Sequence, residues 1–248
     1  MHKSKWIASS GNQVVLDRCQ EILSAIDPLS SRAQGSSQTQ PGRIVKVSGQ
    51  AGSGLTSLAE QIYYSCDRLG LRSLYLPGPP LGLNINVLNH VVQRLGLPIS
   101  NIVYRLEADS AVYQAAMILR HYNVIVIDEG HNYITTSYQT RRNHEELIKF
   151  ALPPFGYTIF ILGVGRLDRL APDEGSKDVQ LVDLMVKRMA HDAAYERFVS
   201  DAVKLYGLEK SHDAGAASMR SLYAESRGLV GMTIRKLFER RELHRQLA

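Results

Sequence analysis

A glycine-containing loop between a predicted strand and a predicted helix constrains this chain more than any other feature. Residues 44–48 predict a strand, and the loop Gly49-Gln50-Ala51-Gly52-Ser53-Gly54-Leu55-Thr56 follows directly. Residues 56–69 then show helical spacing and end before Gly70. In this order, successive backbone N–H groups point at an anion that sits at the helix N-terminus. The segment therefore predicts a phosphate-binding loop.

Downstream of this loop, predicted strands and helices alternate. Strands are predicted at residues 72–76, 123–128 and 157–163, and helices at residues 86–95 and 110–120. The run 123–128 is almost wholly apolar, which is typical of a central strand buried on both faces. Because parallel strands need crossover connections, this alternation predicts an α/β fold with a parallel sheet flanked by helices.

The N-terminal region is predicted to be a helix followed by a linker. Val15, Cys19, Ile22 and Ile26 recur at helical spacing. Residues 30–41 are polar and rich in Ser and Gln, so they cannot bury an apolar face and predict a surface connection.

The C-terminal region is predicted to be a small helical lid. Helices are expected at residues 179–189, 193–206, 216–226 and 232–247, and no further strand is evident after Arg188. We therefore divide the chain into an N-terminal helix and linker (1–41), an α/β core (42–178) and a lid with a basic C-terminal helix (179–248).

Composition is that of an ordinary globular protein. Among 248 residues, 44% are hydrophobic and 21% are charged, and the net charge of +5 permits nucleic-acid binding without demanding it. No apolar run reaches the roughly 18 residues of a membrane span, and the N-terminus lacks a secretory signal, so we expect a cytoplasmic location. Cys19 and Cys66 lack metal-ligand spacing, and no zinc site is expected.

The predicted phosphate loop departs from the usual pattern at one position. Thr56 would place its hydroxyl on Mg²⁺, with Ser57 behind it, but Leu55 stands where a lysine for the β- and γ-phosphates is expected. A missing charge-assisted hydrogen bond, roughly 1.5–3 kcal/mol, weakens nucleotide binding by about one to two orders of magnitude. Lys46 is a basic residue of the preceding strand. A glycine turn that no longer binds nucleotide therefore stays an open alternative.

Two carboxylates follow the most apolar predicted strand. In a phosphate-binding sheet, Asp128 would hold Mg²⁺ through water and Glu129 would polarise the attacking water. Two acids after a strand are common by chance. They gain weight here because the glycine loop, a crossover region and this strand occur in the required order.

These motifs resemble those of a known group of ATPases. The segment Val126-Ile127-Asp128-Glu129-Gly130-His131-Asn132, with Gly163-Val164-Gly165 after the next strand, looks like the AAA+ ATPases that regulate bacterial DNA transposition. Those are the TniB, TnsC and Mu B proteins, and the similarity spans roughly residues 42–240. Secretion-type AAA+ ATPases share the Asp-Glu-x-His/Gln pattern, so these residues do not separate the two groups.

The resemblance implies roles for individual residues. Residues 49–56 would be the Walker A loop, and Asp128 with Glu129 the Walker B pair. Arg188 resembles the arginine offered to a neighbouring subunit's nucleotide, and Arg235 resembles the lid arginine that senses the γ-phosphate. Each arginine is equally well explained as a surface residue. The usual polar sensor after the fourth strand is not evident, because the segment offers only Arg166.

The resemblance also implies a function and its partners. It predicts an ATPase using ATP and Mg²⁺ that forms a homo-oligomer or filament on double-stranded target DNA and recruits a transposase. DNA phosphates would contact basic residues of a loop or of the C-terminal helix, namely Arg141, Arg142, Lys236, Arg240 and Arg241. The alternatives are a catalytically weak or inactive AAA+ adaptor that acts through protein partners, for which Leu55 is the best evidence, and a secretion-type ATPase.

Overall fold

The computed structural model describes residues 6–27, 42–79, 86–97, 110–153, 155–165, 167–170, 178–209 and 215–247. Its strands are β1 (Arg43–Gly49), β2 (Ser73–Leu76), β3 (Val124–Ile127), β4 (Thr158–Val164) and β5 (Gln180–Met185). Its α-helices are α1 (Ser10–Ser24), α2 (Leu55–Arg68), α3 (Val87–Arg94), α4 (Ser110–Leu119), α5 (Ser137–Ala151), α6 (Ala193–Tyr206), α7 (Ala216–Ser226) and α8 (Val230–Leu247). Single 3₁₀ turns occur at Gly130–Tyr133 and Leu167–Arg169.

The five strands form one parallel sheet in the order β2-β3-β4-β1-β5. Strand β4 lies between β1 and β3, with Ile159 paired to Ile44 on one side and to Ile125 on the other. Because all strands run the same way, the loop after β1 and the acids after β3 emerge at the same edge of the sheet. Ligands of open parallel sheets bind outside this edge.

Helices cover both faces of the sheet. On one face α1 and α2 bury residues such as Leu16, Ile62 and Phe160, and on the other α3, α4 and α5 pack over residues such as Ile127 and Ile161. Alternate strand residues therefore point to opposite cores. The predicted α/β fold with a parallel sheet flanked by helices is confirmed.

A separate core lies under helices α6 to α8. Tyr195, Phe198 and Leu222 are fully or almost fully buried there, together with Ile7 from the segment before α1. The hydroxyl of Tyr195 lies 3.1 Å from that of Ser226, which ties α6 to the end of α7. The predicted helical lid is confirmed for these three helices, while the predicted linker 30–41 lies outside the described residues.

The prediction of a helix at residues 179–189 is wrong. Residues Gln180–Met185 form β5, an edge strand parallel to β1, so the sheet continues past residue 178 and a fifth strand precedes Arg188. The short apolar run fits both helical and strand periodicity, which length alone does not resolve. Pairing with β1 decides the outcome.

The prediction of a loop around Arg141 and Arg142 is also wrong, because both residues lie in α5. The inner face of this helix carries polar residues as well as Leu147 and Phe150, which hides its amphipathic pattern. Asn143 is fully buried, accepts a hydrogen bond from the N–H of Val87 (3.0 Å) and donates one to the carbonyl of Tyr133 (3.0 Å).

No described helix is both long enough and apolar enough to cross a membrane.

Cys19 on α1 and Cys66 on α2 are buried thiols, and burial raises the pKa of each to about 12. Both thiols therefore act as small apolar groups between the two helices.

Strand β5 is held to β1 partly by an ion pair. Lys46 Nζ lies 3.1 Å from Asp183 Oδ1 across paired positions, with Lys46 buried and Asp183 largely exposed. We expect Asp183→Asn to lower the free energy of unfolding by about 1–2 kcal/mol, since a buried ammonium loses a charged partner that water partly screens. Urea denaturation measures this. Asp201→Asn, at an exposed site on α6, is the control, and equal stabilities for the two variants would contradict the pairing.

Candidate nucleotide site

The glycine loop joins β1 to α2 as a tight turn. Gly52 and Gly54 have φ of +82° and +86°, a region that residues with a Cβ rarely adopt, and Gly54 caps α2. The N–H of Ser53 donates to the carbonyl of Gln50 (3.0 Å), which closes the turn. The sequence needs glycine at these two positions for the chain to curl before the helix begins.

The start of α2 supplies the donors of an anion site. The first N–H groups of a helix have no partner within it, and the helix dipole adds partial positive charge there. Ser53 is almost fully buried, and its hydroxyl has no hydrogen-bond partner among the described residues. A phosphate oxygen fits this donor set.

Leu55 belongs to the protein core. Its side chain is 7% exposed and packs in the cluster formed by α1, α2 and the sheet. An ideal Cβ built on Gly49 would lie 3.3 Å from Leu55 Cδ2 and 3.4 Å from Val186 Cβ, so the leucine lies against the base of the loop. The position that a lysine would use to reach phosphate therefore stabilises the fold instead.

Lys46 does not replace the missing lysine. Its ammonium group forms an ion pair with Asp183 on the edge strand β5. Lys46 alternates along β1 with Val45 and Val47, which face α1 and α2, so it points to the opposite side of the sheet from α2. A cation for the phosphates has to come from elsewhere.

Asp128 connects the end of β3 with the glycine loop. Its carboxylate accepts hydrogen bonds from the N–H of Glu129 (2.8 Å) and from the hydroxyl of Tyr75 (3.2 Å), and it lies near the hydroxyl of Thr56, which favours the charged form. The residue is 4% exposed, and burial raises its pKa above the ordinary value. A divalent cation would offset the cost of burying this charge.

Glu129 leaves β3 in a strained conformation. Its φ is +50°, which is unusual for a residue with a side chain, and the side chain is 42% exposed. An ideal Cβ at Gly78 would lie 2.9 Å from Glu129 Cγ, so only glycine lets the segment after β2 pass this close. The side chain of Glu129 thus lies at the edge of the sheet, beside His131 and the segment after β2.

His131 lies between Glu129 and the end of β4. Its Nδ1 accepts a hydrogen bond from the N–H of Val164 (3.3 Å) and lies 3.4 Å from Glu129 Oε2. One nitrogen cannot accept from Val164 and donate to Glu129 together. We assign the neutral ring with its proton on Nε2, because the backbone N–H has to donate. Asn132 follows in the 3₁₀ turn and donates its N–H to the carbonyl of Glu129 (2.9 Å).

The lid contacts the glycine loop directly. The N–H groups of Gly231 and Met232, at the start of α8, point at the carbonyl of Gly52 (2.8 and 3.3 Å). An ideal Cβ on Gly52 would lie 2.7 Å from Met232 Cγ. The first turn of α8 therefore rests on the part of the loop that would hold phosphates.

Arg235 and Arg188, the two arginines implied by the resemblance, lie in different parts of the chain. Arg235 is one turn further along α8, exposed, and donates to Glu239 (2.9 Å). Arg188 is exposed in the segment between β5 and α6. Neither is held in the loop itself. Arg166 lies outside the described residues.

The candidate DNA-binding residues occupy two surfaces. Arg141 is 82% exposed on α5 and pairs with Glu145 (3.1 Å), with Arg142 beside it. On α8, Lys236 pairs with Glu239 (2.6 Å), and Arg240 is bound to Glu225 (2.7 Å) and to Ser218 and Ser221. Arg241 is half-buried on the same helix. Arg141 is thus more accessible than Lys236 or Arg240, whereas Arg142 is half-buried like them.

Three residues at the site were not predicted from the sequence. Tyr75 binds Asp128 from a neighbouring strand, Met232 covers Gly52, and Asn12 of α1 donates to the carbonyl of Ser53 (3.2 Å). All three reach the site from elements distant in sequence. No local sequence pattern marks them, because each reaches the site only through the packing of separate elements.

The arrangement suits part of a Mg²⁺–nucleotide complex. Backbone N–H groups at the start of α2 and the Ser53 hydroxyl would bind phosphate, while oxygens of Thr56 and Asp128 are the ligand type that Mg²⁺ prefers. Glu129 follows Asp128 in the chain, and its partly exposed carboxylate would be available as a base. What the site lacks is the lysine cation, since Leu55 is in the core.

Solved structures share this architecture, although no protein-family model and no curated protein matches the sequence. The replication initiator DnaA bound to AMPPCP and single-stranded DNA aligns with a TM-score of 0.54 and 12% identity over 97% of this chain and 63% of that chain. AMPPCP-bound DnaA from Aquifex aeolicus gives 0.52 and 13% over 95% and 62%. The Aeropyrum pernix Orc1 protein in complex with DNA gives 0.60 and 14% over 98% and 62%.

The chain thus spans less than two thirds of the length of these proteins. At this level of identity the similarity concerns the fold and not the activity. The chain shares its α/β fold with these proteins, with a five-stranded parallel sheet flanked by helices and followed by helices α6 to α8.

Proposed function

We propose that this protein is a Mg²⁺- and ATP-dependent switch that assembles on double-stranded DNA in the cytoplasm. The observation that carries the proposal is the position of the buried Asp128 carboxylate near the hydroxyl of Thr56, which brings the acidic end of β3 close to the glycine loop. A carboxylate and a hydroxyl close together at the N-terminus of a helix match the requirements of a Mg²⁺–phosphate complex. The DNA-bound and AMPPCP-bound proteins with this fold support nucleotide and DNA as ligands.

Within this class we propose the regulation of DNA transposition. The motif residues 126–132 and their resemblance to the TniB group support it. The protein would form an oligomer or filament on target DNA and recruit a transposase. Arg188, exposed after β5, would be offered to the nucleotide of a neighbouring subunit, and Arg235 would approach the γ-phosphate from the lid.

Chain residues divide the chemistry between binding and hydrolysis. The loop N–H groups and Ser53 bind phosphate, Thr56 and Asp128 hold the cation, and Glu129 accepts a proton from the attacking water. Bound Mg²⁺ supplies charge neutralisation at the phosphates. Since Leu55 offers no cation, we expect weak binding and slow turnover, with ATP acting chiefly as an assembly signal.

A second candidate is an adaptor that acts through protein partners without using nucleotide. The burial of Leu55 favours it, because the residue is committed to the core. The position of Asp128 near Thr56 favours the switch, since an abandoned site has no need to bury a carboxylate against the loop. Nucleotide binding decides between them.

The role of Asp128 predicts a Mg²⁺-dependent affinity. We expect wild type to bind ATP more tightly in Mg²⁺ than in EDTA, and Asp128→Asn to reduce this difference at least about tenfold, because one charged ligand is worth roughly 1.5–3 kcal/mol. Titration with a fluorescent ATP analogue measures it. Glu129→Gln should retain binding and lose about 100-fold in turnover. Glu145→Gln, on exposed α5, is the control. Binding by Asp128→Asn with full Mg²⁺ dependence would argue against the site.

The burial of Leu55 predicts opposed effects of a lysine there. We expect Leu55→Lys to lower the free energy of unfolding of the nucleotide-free protein by about 2–3 kcal/mol, because the core loses a leucine. Mg²⁺–ATP should restore much of this stability, since binding favours the folded form and lets lysine pair with phosphate. Thermal unfolding with and without Mg²⁺–ATP measures both effects, with Leu55→Met as the volume-conserving control. A Leu55→Lys variant that ATP stabilises no more than wild type would favour the adaptor.

The exposed Arg141 and its half-buried neighbour Arg142 predict a salt-dependent DNA interaction of α5. We expect the double alanine variant to weaken duplex binding and to reduce the slope of log K against log salt by about 1 per lost phosphate contact. Fluorescence anisotropy at several salt concentrations measures the slope. Arg18→Ala removes another exposed helix arginine that pairs with an acid and should leave the slope unchanged. An unchanged slope in the double variant would remove α5 from the interface.

A further inference from the structure

We propose that a cleft beside the start of α5 binds a phosphate ester, and that a backbone phosphate of DNA fills it, an identity of the ligand that rests on the proposed function. The cleft has a volume of about 340 Å³. Residues of α5, of the segment before it and of the 3₁₀ turn Leu167–Arg169 line it. None of its described lining residues belongs to the glycine loop or to the acids after β3.

The lining of the cleft is basic and rich in hydroxyl groups. Arg141 comes from α5, and Arg169 comes from the 3₁₀ turn that follows β4. The other polar residues of the lining are Thr135, Ser137, Thr140 and His144. Because Ser137 begins α5, the partial positive charge of a helix start adds to the arginines. Two guanidinium groups with hydroxyl groups, and no acid in the described lining, form a donor set for phosphate oxygens.

Both arginines keep donors available for a ligand. Arg141 is 82% exposed and uses Nε for Glu145 (3.1 Å), an exposed pair of the kind that contributes little to stability. Arg169 is exposed and has no hydrogen-bond or ion-pair partner among the described residues. The terminal nitrogens of Arg141 and the whole guanidinium of Arg169 are therefore available to bind phosphate in a fork.

The inner lining contains polar groups that the fold does not fully use. Thr140 is 8% exposed, and its Oγ1 accepts a hydrogen bond from the N–H of Thr135 (3.1 Å), which leaves the hydroxyl hydrogen to donate. His144 Nδ1 is enclosed and has no hydrogen-bond partner among the described residues. Buried polar atoms are nearly always paired, so an exception in the wall of a basic cleft indicates a ligand.

The size of the cleft favours a phosphate ester over a free phosphate ion. Its volume of about 340 Å³ lies at the lower end of the range for small-ligand sites, roughly 300–1,000 Å³. A single ion would fill only part of this space. Ile134 adds apolar surface to the lining, against which a sugar can pack. A phosphodiester with its deoxyribose supplies both the anion and the sugar.

The cleft lies near the edge of the sheet that carries the candidate nucleotide site. Ile134 follows the 3₁₀ turn after β3, and Arg169 lies shortly after β4. The two segments meet where Nδ1 of His131 accepts a hydrogen bond from the N–H of Val164 (3.3 Å). Since the carboxyl ends of parallel strands share one edge, a DNA strand held in the cleft passes close to the ends of β3 and β4.

A double-mutant cycle tests whether Arg141 and Arg169 bind the same phosphate. We would measure duplex affinity by fluorescence anisotropy for wild type, for Arg141→Ala, Arg142→Ala and Arg169→Ala, and for Arg169→Ala combined with each α5 variant. Arg142 is the matched control, because it neighbours Arg141 on α5 but does not line the cleft. Thermal unfolding checks the fold, and calorimetric titration of wild type and Arg169→Ala with deoxyribose 5-phosphate examines the cleft without DNA.

We expect Arg169→Ala to weaken duplex binding about tenfold, as the loss of a charge-assisted hydrogen bond does, with an unchanged melting temperature. Arg141→Ala should then cost less affinity in the Arg169→Ala background than in wild type, whereas Arg142→Ala should cost the same in both. Wild type should bind deoxyribose 5-phosphate, and Arg169→Ala should not.

Two results would overturn the inference and leave the proposed function standing. One is wild-type duplex affinity in Arg169→Ala, and the other is an equal cost of Arg141→Ala in both backgrounds. A wild type that does not bind duplex DNA would overturn the proposed function. In that case, deoxyribose 5-phosphate binding that depends on Arg169 would support the cleft as a phosphate-ester site, and its absence would overturn the cleft as well.

Discussion

The buried carboxylate of Asp128 is the interaction on which the candidate site depends. It ends the most apolar strand of the sheet, yet it accepts hydrogen bonds from Tyr75 and from the backbone of Glu129 and lies near the hydroxyl of Thr56. These neighbours come from β2, from the next peptide and from the start of α2. A negative charge in a low-dielectric setting is costly unless it is paired. The carboxylate therefore holds three elements in register and still favours a cation beside it.

Leu55 stabilises the protein core at a position where a phosphate-binding loop usually carries a lysine. A lysine at the start of α2 contributes charge to phosphate binding but little to the core. The leucine lies against the base of the loop in the core that α1 and α2 form with the sheet, so this position stabilises the fold and would offer no charge to the proposed nucleotide. Since Lys46 points to the other face of the sheet and binds Asp183, no cation from β1 compensates. The geometry for phosphate and Mg²⁺ stays while the electrostatic contribution is reduced.

The sequence predicted the parts of the fold that local pattern determines. Strands β1, β3 and β4, the glycine loop and helix α2 follow from apolar runs and turn residues, and the structure confirms them. Strand β5 was predicted as a helix because its short run of residues fits both helical and strand periodicity. Helix α5 was missed because the buried polar residues Asn143 and Glu146 interrupt the apolar pattern of its inner face. Tyr75, Asn12 and Met232 reach the site only through tertiary packing. Their side chains carry no signal until the helices are placed.

Hydrogen bonds connect the glycine loop of the candidate site to the start of α8 and to α1. The carbonyl of Gly52 faces the N-terminus of α8, and the carbonyl of Ser53 accepts from Asn12 on α1. Both carbonyls belong to the turn whose N–H groups would bind phosphate. The carbonyl of Ser53 shares a rigid peptide unit with the N–H of Gly54, whereas the N–H that shares a unit with the Gly52 carbonyl already donates to Gln50. In the proposed switch, a phosphate bound to the N–H of Gly54 would therefore also turn the carbonyl that Asn12 contacts. The lid would respond through the N–H groups of Gly231 and Met232, and Arg235 lies on the next turn of α8.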